Sequence, residues 1–73
     1  MVYLVTDKDG RVVLTGDTVT DFRGDTATFI EVLNGPSLGK SAKVLVERDS
    51  SGIPYRNTNY ANVFDLTVEP LTD

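Results

Sequence analysis

The stretch that decides the fold is residues 16–46, GDTVTDFRGDTATFIEVLNGPSLGKSAKVLV. It contains two segments rich in β-branched and aromatic residues, 26–33 (TATFIEVL) and 42–48 (AKVLVER), which are typical of β-strands. Between them, residues 34–41 (NGPSLGKS) include two glycines and a proline, a composition that favours a loop over a helix. The sequence therefore predicts two strands joined by a Gly-rich loop at the centre of the fold.

The two central strands differ in how their apolar residues alternate. Ala42, Val44 and Val46 form one apolar row in the second strand, as expected for a strand with one buried face. The first strand carries apolar residues on both faces. A strand that bends around a small barrel changes its buried face along its length, and we expect this behaviour of the first strand.

Shorter strands and turns are predicted on either side of this centre. Residues 2–6 (VYLVT) and 11–15 (RVVLT) flank the turn DKDG, which is a strong hairpin signal. Asn-rich residues 57–62 are too polar for a strand and predict one turn of 3₁₀ helix. The remaining expected elements are strands at 18–20, 53–56 and 63–68, with turns at 21–25 and 49–52.

The pattern as a whole predicts an all-β fold, a small SH3-like barrel of five to six strands with one short 3₁₀ turn. Residues 1–73 form a single domain with a polar tail from about residue 70. In SH3 domains a Tyr-containing 3₁₀ turn precedes the last strand, and Tyr60 ahead of VFDLTV resembles that arrangement. The residues expected to be mostly buried are Val12, Val19, Ile30, Val32, Val44, Val46, Phe64, Leu66 and Val68.

The composition argues against several kinds of chemistry. The chain has no cysteine and no histidine, so it lacks thiolate ligands, thiol nucleophiles and the commonest general base. We therefore expect no enzymatic activity, no cofactor and no metal. The net charge of −4 disfavours nucleic acid as a partner, and no apolar run approaches membrane-spanning length. A cytoplasmic protein that acts by binding is the expectation.

Three short motifs are interpreted as parts of turns. GKS at residues 39–41 lacks the upstream glycine of a phosphate-binding loop, because Asn34 stands there, and it leads into a strand. DKDG lacks the flanking carboxylates of a calcium loop. RGD at residues 23–25 is a chance tripeptide within a turn.

Longer motifs resemble a known group of proteins. The segments DFRGDTATF, GKSAKVLV and NYANVFDLTV resemble small uncharacterised proteins encoded by tailed phages of actinobacteria. Those share a GDxVxDFRG opening, a GPxxGKSGKV loop and strand, and a YYxxVFxLTV ending, and the match spans residues 16–69. Ala42 replaces a frequent glycine, and Asn59-Tyr60 replaces two tyrosines. The resemblance implies a phage protein located in the host bacterial cytoplasm, and it carries over no activity.

Five residues are the candidate contacts for a partner. In SH3-like barrels two loops and the 3₁₀ turn flank one groove, and aromatic and arginine residues are the usual interface anchors. For Phe22 the favoured expectation is a lid folded back over the barrel end, with an exposed aromatic contact as the alternative. The candidate partner-binding residues are Phe22, Arg23, Lys40, Tyr55 and Tyr60.

The function predicted from the sequence is a binding module that contacts a protein of the host or of the phage. One alternative is nucleic-acid binding, which would require Arg23, Lys40, Lys43 and Arg56 to lie on one face. Another is a structural or assembly role through self-association, in which an exposed sheet edge pairs with a second copy.

Overall fold

The structure is a computed structural model that describes residues 3–36 and 40–71. The elements along this part of the chain are β1 (Tyr3–Thr6), β2 (Thr18–Thr20), β3 (Thr26–Asn34), β4 (Lys43–Ser50), β5 (Ile53–Tyr60), the 3₁₀ turn (Ala61–Phe64) and β6 (Thr67–Pro70). The prediction of a small all-β fold with one short 3₁₀ turn is confirmed.

The strands form two antiparallel sheets. One has the order β2-β3-β4-β5, and the other pairs β1 with β6. The 3₁₀ turn connects β5 to β6, and β6 pairs with β1. This order of elements agrees with the order expected of an SH3-like barrel. Side chains from both sheets share one core, in which Val5 and Val68 lie with Val44 and Val46. The result is a small barrel-like domain.

β4 and β5 form the most regular part of the fold. They are joined by the turn residues Ser51 and Gly52, which have φ angles of 55° and 80°. Positive φ at both central residues is the geometry that matches the twist of a two-residue hairpin. Val44 and Val46 are completely buried on the side of this hairpin that we call the inner face. The opposite side is the outer face.

A β-bulge in β3 explains why that strand has apolar residues on both faces. Phe29 pairs with Val46 and Glu31 pairs with Leu45, so Ile30 is an extra residue in the ladder. Before the bulge Phe29 points into the core, and after it Val32 packs against the core. The predicted change of buried face is confirmed. A bulge inserts one residue and thereby reverses the alternation that follows it.

The region predicted as the second strand, residues 11–15, forms only an isolated bridge between Val12 and Thr6. The preceding turn is closed by a hydrogen bond from the Asp7 N–H to the Arg11 carbonyl. In this register Val13 lies opposite the buried Val5, and the Val13 N–H donates to the Val5 carbonyl at 2.8 Å. Val13 is consequently buried, and the prediction that Val12 is buried is wrong, since Val12 is 53% exposed.

The C-terminal part of the sheet also differs from the prediction. β5 runs on to Tyr60, although residues 57–60 were expected to be in a 3₁₀ turn. Every residue of β5 pairs with β4, and this pairing overrides the weak strand preference of asparagine. The 3₁₀ turn therefore starts later, at Ala61, and takes the first two residues of the predicted strand 63–68.

Six of the nine residues predicted to be buried belong to the core, and six further core residues were not predicted. Ile30 and Val32 are half-buried rather than mostly buried. The buried apolar residues that were predicted are Val19, Val44, Val46, Phe64, Leu66 and Val68. Those that were not predicted are Val5, Val13, Ala27, Phe29, Ala42 and Ala61.

Val12 and Val13 offer a matched test of this core assignment. Val13→Ala should lower the free energy of unfolding by about 1–2 kcal/mol, because each buried methylene contributes about 0.8 kcal/mol. Val12→Ala should change the free energy of unfolding by less than about 0.5 kcal/mol, as at other exposed sites. Urea denaturation of both variants measures the difference. Equal effects, or a larger effect at Val12, would contradict the register described above.

Candidate partner-binding site

Residues 21–25, which we call the Phe22 turn, connect β2 to β3. The turn is closed by its own backbone, because the Asp21 N–H donates to the Asp25 carbonyl and the Gly24 N–H donates to the Asp21 carbonyl, at 2.9 and 3.0 Å. Gly24 has a φ of 88°, which glycine adopts without steric cost. The sequence DFRGD therefore forms a defined turn.

The carboxylate of Asp21 fixes this turn from inside. Its Oδ1 accepts the backbone N–H groups of Arg23 and Asp25 at 2.9 and 3.0 Å. Its Oδ2 lies 3.5 Å from the guanidinium of Arg48, and the Asp21 side chain is 1% exposed. Both oxygens of this buried carboxylate are thus occupied, as buried charge requires.

The protonation of Asp21 reflects these contacts. Burial acts to raise the pKa of Asp21, but hydrogen bonds from the N–H groups of Asp25 and Arg23 lower it, as do the positive charges of Arg23 and Arg48. The pKa ends below its ordinary value of 3.8, so the group is an anion at neutral pH.

Arg48 links the Phe22 turn to the rest of the domain. It follows Val44 and Val46 on the inner face of β4, and its guanidinium carbon lies 5.4 Å from the centre of the Phe64 ring. The Phe22 N–H donates to the Val63 carbonyl at 3.1 Å. The turn is therefore attached both to β4 and to the 3₁₀ turn.

This attachment leaves the Phe22 side chain in solvent. Phe22 is 77% exposed, and the guanidinium carbon of Arg23 lies 5.8 Å from the centre of its ring. The expectation that Phe22 folds back as a lid is wrong. Its backbone is held by Val63 and by the hydrogen bonds of Asp21, and in this conformation the ring projects away from the core.

The two candidate tyrosines lie on opposite faces of β5. Tyr60 pairs with Lys43 on the outer face, and the Nζ of Lys43 lies 5.5 Å from the centre of its ring. Tyr55 pairs with Arg48, which is an inner-face residue. Side chains five positions apart on a regular strand point to opposite sides. The prediction that both tyrosines line one groove is wrong.

The candidate residues therefore divide into two groups. Phe22, Arg23 and Tyr55 lie around the Asp21–Arg48 contact, whereas Tyr60 lies on the outer face. Lys40 is exposed just ahead of β4, and residues 37–39 of the same loop lie outside the described residues. The end of this loop is tied to the 3₁₀ turn, because the Asn62 N–H donates to Ser41 Oγ at 3.3 Å.

The basic residues of the nucleic-acid alternative are not gathered on one face. Lys43 and Arg56 lie on the outer face of the β4–β5 hairpin, and Arg56 is 3.8 Å from the carboxylate of Glu47. Arg23 lies on the Phe22 turn, which is attached to the inner-face residue Arg48. The geometric condition for that alternative is not met.

The concave surfaces are shallow and polar. One pocket of about 210 Å³ is lined by Asp7, Asp9, Asp21, Phe64, Asp65 and neighbouring residues, and two others measure about 340 and 270 Å³. Typical small-molecule sites measure about 300–1,000 Å³ and are predominantly apolar, so these pockets lie at or below the lower end of that range. Among the residues that the structure describes, no group of three acidic, histidine or cysteine side chains is placed to hold a metal ion. Within 3–36 and 40–71 there is also no helix long and apolar enough to cross a membrane.

The fold and this surface define a small all-β domain with an exposed aromatic and arginine tip. Comparison of the chain with protein-family models, with curated proteins and with solved structures found no match in any of the three.

Two features of the site were missed by sequence reasoning. The pairing of Asp21 with Arg48 joins residues 27 positions apart, and neither residue stands in a motif that indicates the other. The exposure of Phe22 follows from the hydrogen bonds that hold its turn to Val63 and to Asp21. A detectable signal was the Asp-x-Arg-Gly-Asp spacing, because an aspartate at the start of a turn accepts hydrogen bonds from the N–H groups that follow.

Asp21→Asn tests the role of the buried charge. The variant keeps an oxygen acceptor but loses the attraction to Arg48, so its melting temperature at neutral pH should fall by several degrees. A carboxyl with a lowered pKa stabilises the folded state above its unfolded-state pKa and stops doing so as the pH falls through its folded value. The difference between wild type and variant should therefore shrink as the pH falls below 3.8.

Thermal denaturation across this pH range provides the measurement. Asp49→Asn, at an exposed position of β4, is the control and should melt close to wild type. A wild-type melting temperature for Asp21→Asn at neutral pH would show that the Asp21–Arg48 contact does not stabilise the fold.

Proposed function

We propose that this chain is a non-enzymatic, phage-encoded binding module that acts through protein–protein contact, with Phe22 and Arg23 at the centre of its contact surface. The observation that supports this proposal is the 77% exposure of Phe22 at the tip of a turn that a buried carboxylate holds in place. An aromatic ring in solvent contributes nothing to the core, whereas aromatic and arginine residues dominate protein interfaces.

The rigidity of the turn strengthens the case for binding. Asp21 accepts two backbone N–H groups of the turn, and Gly24 and Phe22 are held by further hydrogen bonds. A contact residue that is already ordered before binding loses less conformational entropy when the complex forms. Phe22 can therefore transfer its full apolar area to a partner with little reorganisation.

The chemistry of the surface indicates the kind of partner. The Phe22 ring requires an apolar recess, and the neighbouring Arg23 guanidinium requires a carboxylate or a carbonyl group at its rim. Tyr55, which is 44% exposed next to Arg48, extends the surface along the inner side of β5. We propose a host or phage protein in the cytoplasm of the infected cell as this partner. Tyr60 lies on the outer face beside Lys43, outside this proposed surface, and Lys40 lies just ahead of β4.

Phe22→Ala provides the direct test. The tagged protein is used to capture partners from an actinobacterial host lysate, and proteins retained by wild type are identified by mass spectrometry. Phe22→Ala should reduce capture of the specific partner by about tenfold or more, as for the truncation of an interface anchor. Its melting temperature should stay near wild type, because the ring makes little contact with the core.

Leu14→Ala is the matched control. Leu14 is 63% exposed in the segment between β1 and β2, where it lies beside Tyr3 and Val32 and not beside Asp21. Its truncation removes a similar exposed apolar side chain and should leave capture intact. Arg23→Ala should weaken capture to a smaller extent than Phe22→Ala. Equal capture by wild type and Phe22→Ala would refute the proposed surface.

A further inference from the structure

The outer edge of β5 is an unpaired strand edge. β5 is the last strand of its sheet, and in the described part of the chain no strand pairs with its other side. Its register with β4 is continuous over eight residue pairs. Edge strands are usually protected by bulges, charged side chains, prolines or short length. β5 is regular over eight residues, its one charged side chain is that of Arg56, and Pro54 near its start removes a single donor.

The hydrogen-bond pattern identifies the backbone groups that this edge exposes. In an antiparallel hairpin, alternate residues direct their N–H and C=O groups toward the partner strand. Ala61, the residue after Tyr60, donates its N–H to the Ala42 carbonyl at 2.7 Å. Because bonded residues alternate along the ladder, the odd-numbered residues of β5 direct their backbone groups toward β4. Arg56, Thr58 and Tyr60 therefore direct their backbone groups outward.

We propose that β5 pairs with β5 of a second copy, antiparallel and about a two-fold axis at Thr58, to form a homodimer with one continuous sheet. Outward-directed residues must face each other across the new pair, so the axis lies at a residue position, and the positions near the middle of the free edge are Arg56, Asn57, Thr58 and Asn59. An axis at Arg56 places two guanidinium groups directly opposite each other, which is unfavourable.

The position of Arg56 distinguishes the remaining registers. With the axis at Asn57, Arg56 lies opposite Thr58 of the second copy, and with the axis at Asn59 it lies opposite position 62, beyond the end of β5. With the axis at Thr58, Arg56 lies opposite an aromatic residue, Tyr60 of the second copy. On the inner face, the same axis places Asn59 directly opposite Asn57 of the second copy.

The outer-face side chains of the two copies are also complementary across the proposed strand pair. With the axis at Thr58, Arg56 lies opposite Tyr60 of the second copy. Tyr60 already has one cation above its ring, the Lys43 ammonium at 5.5 Å, and the residue is 45% exposed. Arginine beside a tyrosine ring is a favourable cation–π pair. Arg56 is the one charged residue of β5, so no acidic group on this strand opposes the association of a protein with net charge −4.

Thr58→Lys tests the dimer. Sedimentation equilibrium of the wild-type chain should show a monomer–dimer equilibrium, and Thr58→Lys should raise the dissociation constant by about tenfold or more, because it places two lysines at the axis. Thr18→Lys makes the same change on the exposed edge strand β2 and should leave the dissociation constant unchanged. A wild-type chain that stays monomeric at millimolar concentration, or equal effects of the two variants, would overturn the proposal.

Engineered cysteines test the register, since the chain has no cysteine of its own. A mixture of Asn57→Cys and Asn59→Cys proteins should form a disulfide-linked heterodimer under mild oxidation, because these positions face each other across the axis at Thr58. Each variant alone should form little covalent dimer. Efficient cross-linking of Asn57→Cys with itself would place the axis at Asn57 and overturn the Thr58 register. The Thr58 register would also be overturned if the mixture formed no more covalent dimer than either variant forms alone.

Discussion

The contact between Asp21 and Arg48 is the interaction on which the organisation of this small domain depends. A buried charge pair is favourable only when each partner also satisfies its other hydrogen-bonding groups. Here the carboxylate accepts two backbone N–H groups, and the guanidinium stacks on the Phe64 ring. Three separate parts of the chain are thereby connected at one point: the Phe22 turn, β4 and the 3₁₀ turn. The exposed position of Phe22 is a consequence of this connection.

The core depends on a second constraint, which is the bulge at Ile30. A domain of this size buries a small core, so every strand must present its apolar residues on the correct side. Without the extra residue, β3 would direct Phe29 and Val32 to opposite faces along a flat sheet. The bulge lets one strand contribute to the core at both of its ends. The bulge therefore explains how β3, with apolar residues on both faces, can pack against a single core.

The sequence predicted the class of fold because strand composition and turn signals are local properties. It failed where the outcome depended on register between distant segments. The choice between Val12 and Val13 is set by how the turn after Thr6 closes, and a shift of one residue exchanges the buried and exposed faces. Residues 57–60 became strand because β4 pairs with them, although their own preference is for turns.

The candidate site was predicted in its residue types but not in its arrangement. Phe22 and Arg23 stand on a turn that the sequence marks clearly, whereas the orientation of Phe22 depends on the contact of its N–H with the distant Val63. Tyr55 and Tyr60 were grouped because the stretch that contains both was expected to flank one groove together with two loops. Once residues 53–60 form one regular strand, the odd number of steps between them places the two rings on opposite faces.

The pairing of β1 with β6 has a consequence for how the chain folds. Tyr3 lies opposite Pro70, so this ladder joins segments that are distant along the chain, whereas the β4–β5 hairpin is closed by a two-residue turn. Closing a long loop costs more chain entropy than closing a short one, and contacts between distant residues slow folding. We expect the hairpin to form first and the β1–β6 ladder to form last. Destabilising changes in β1 should then accelerate unfolding and leave the folding rate nearly unchanged.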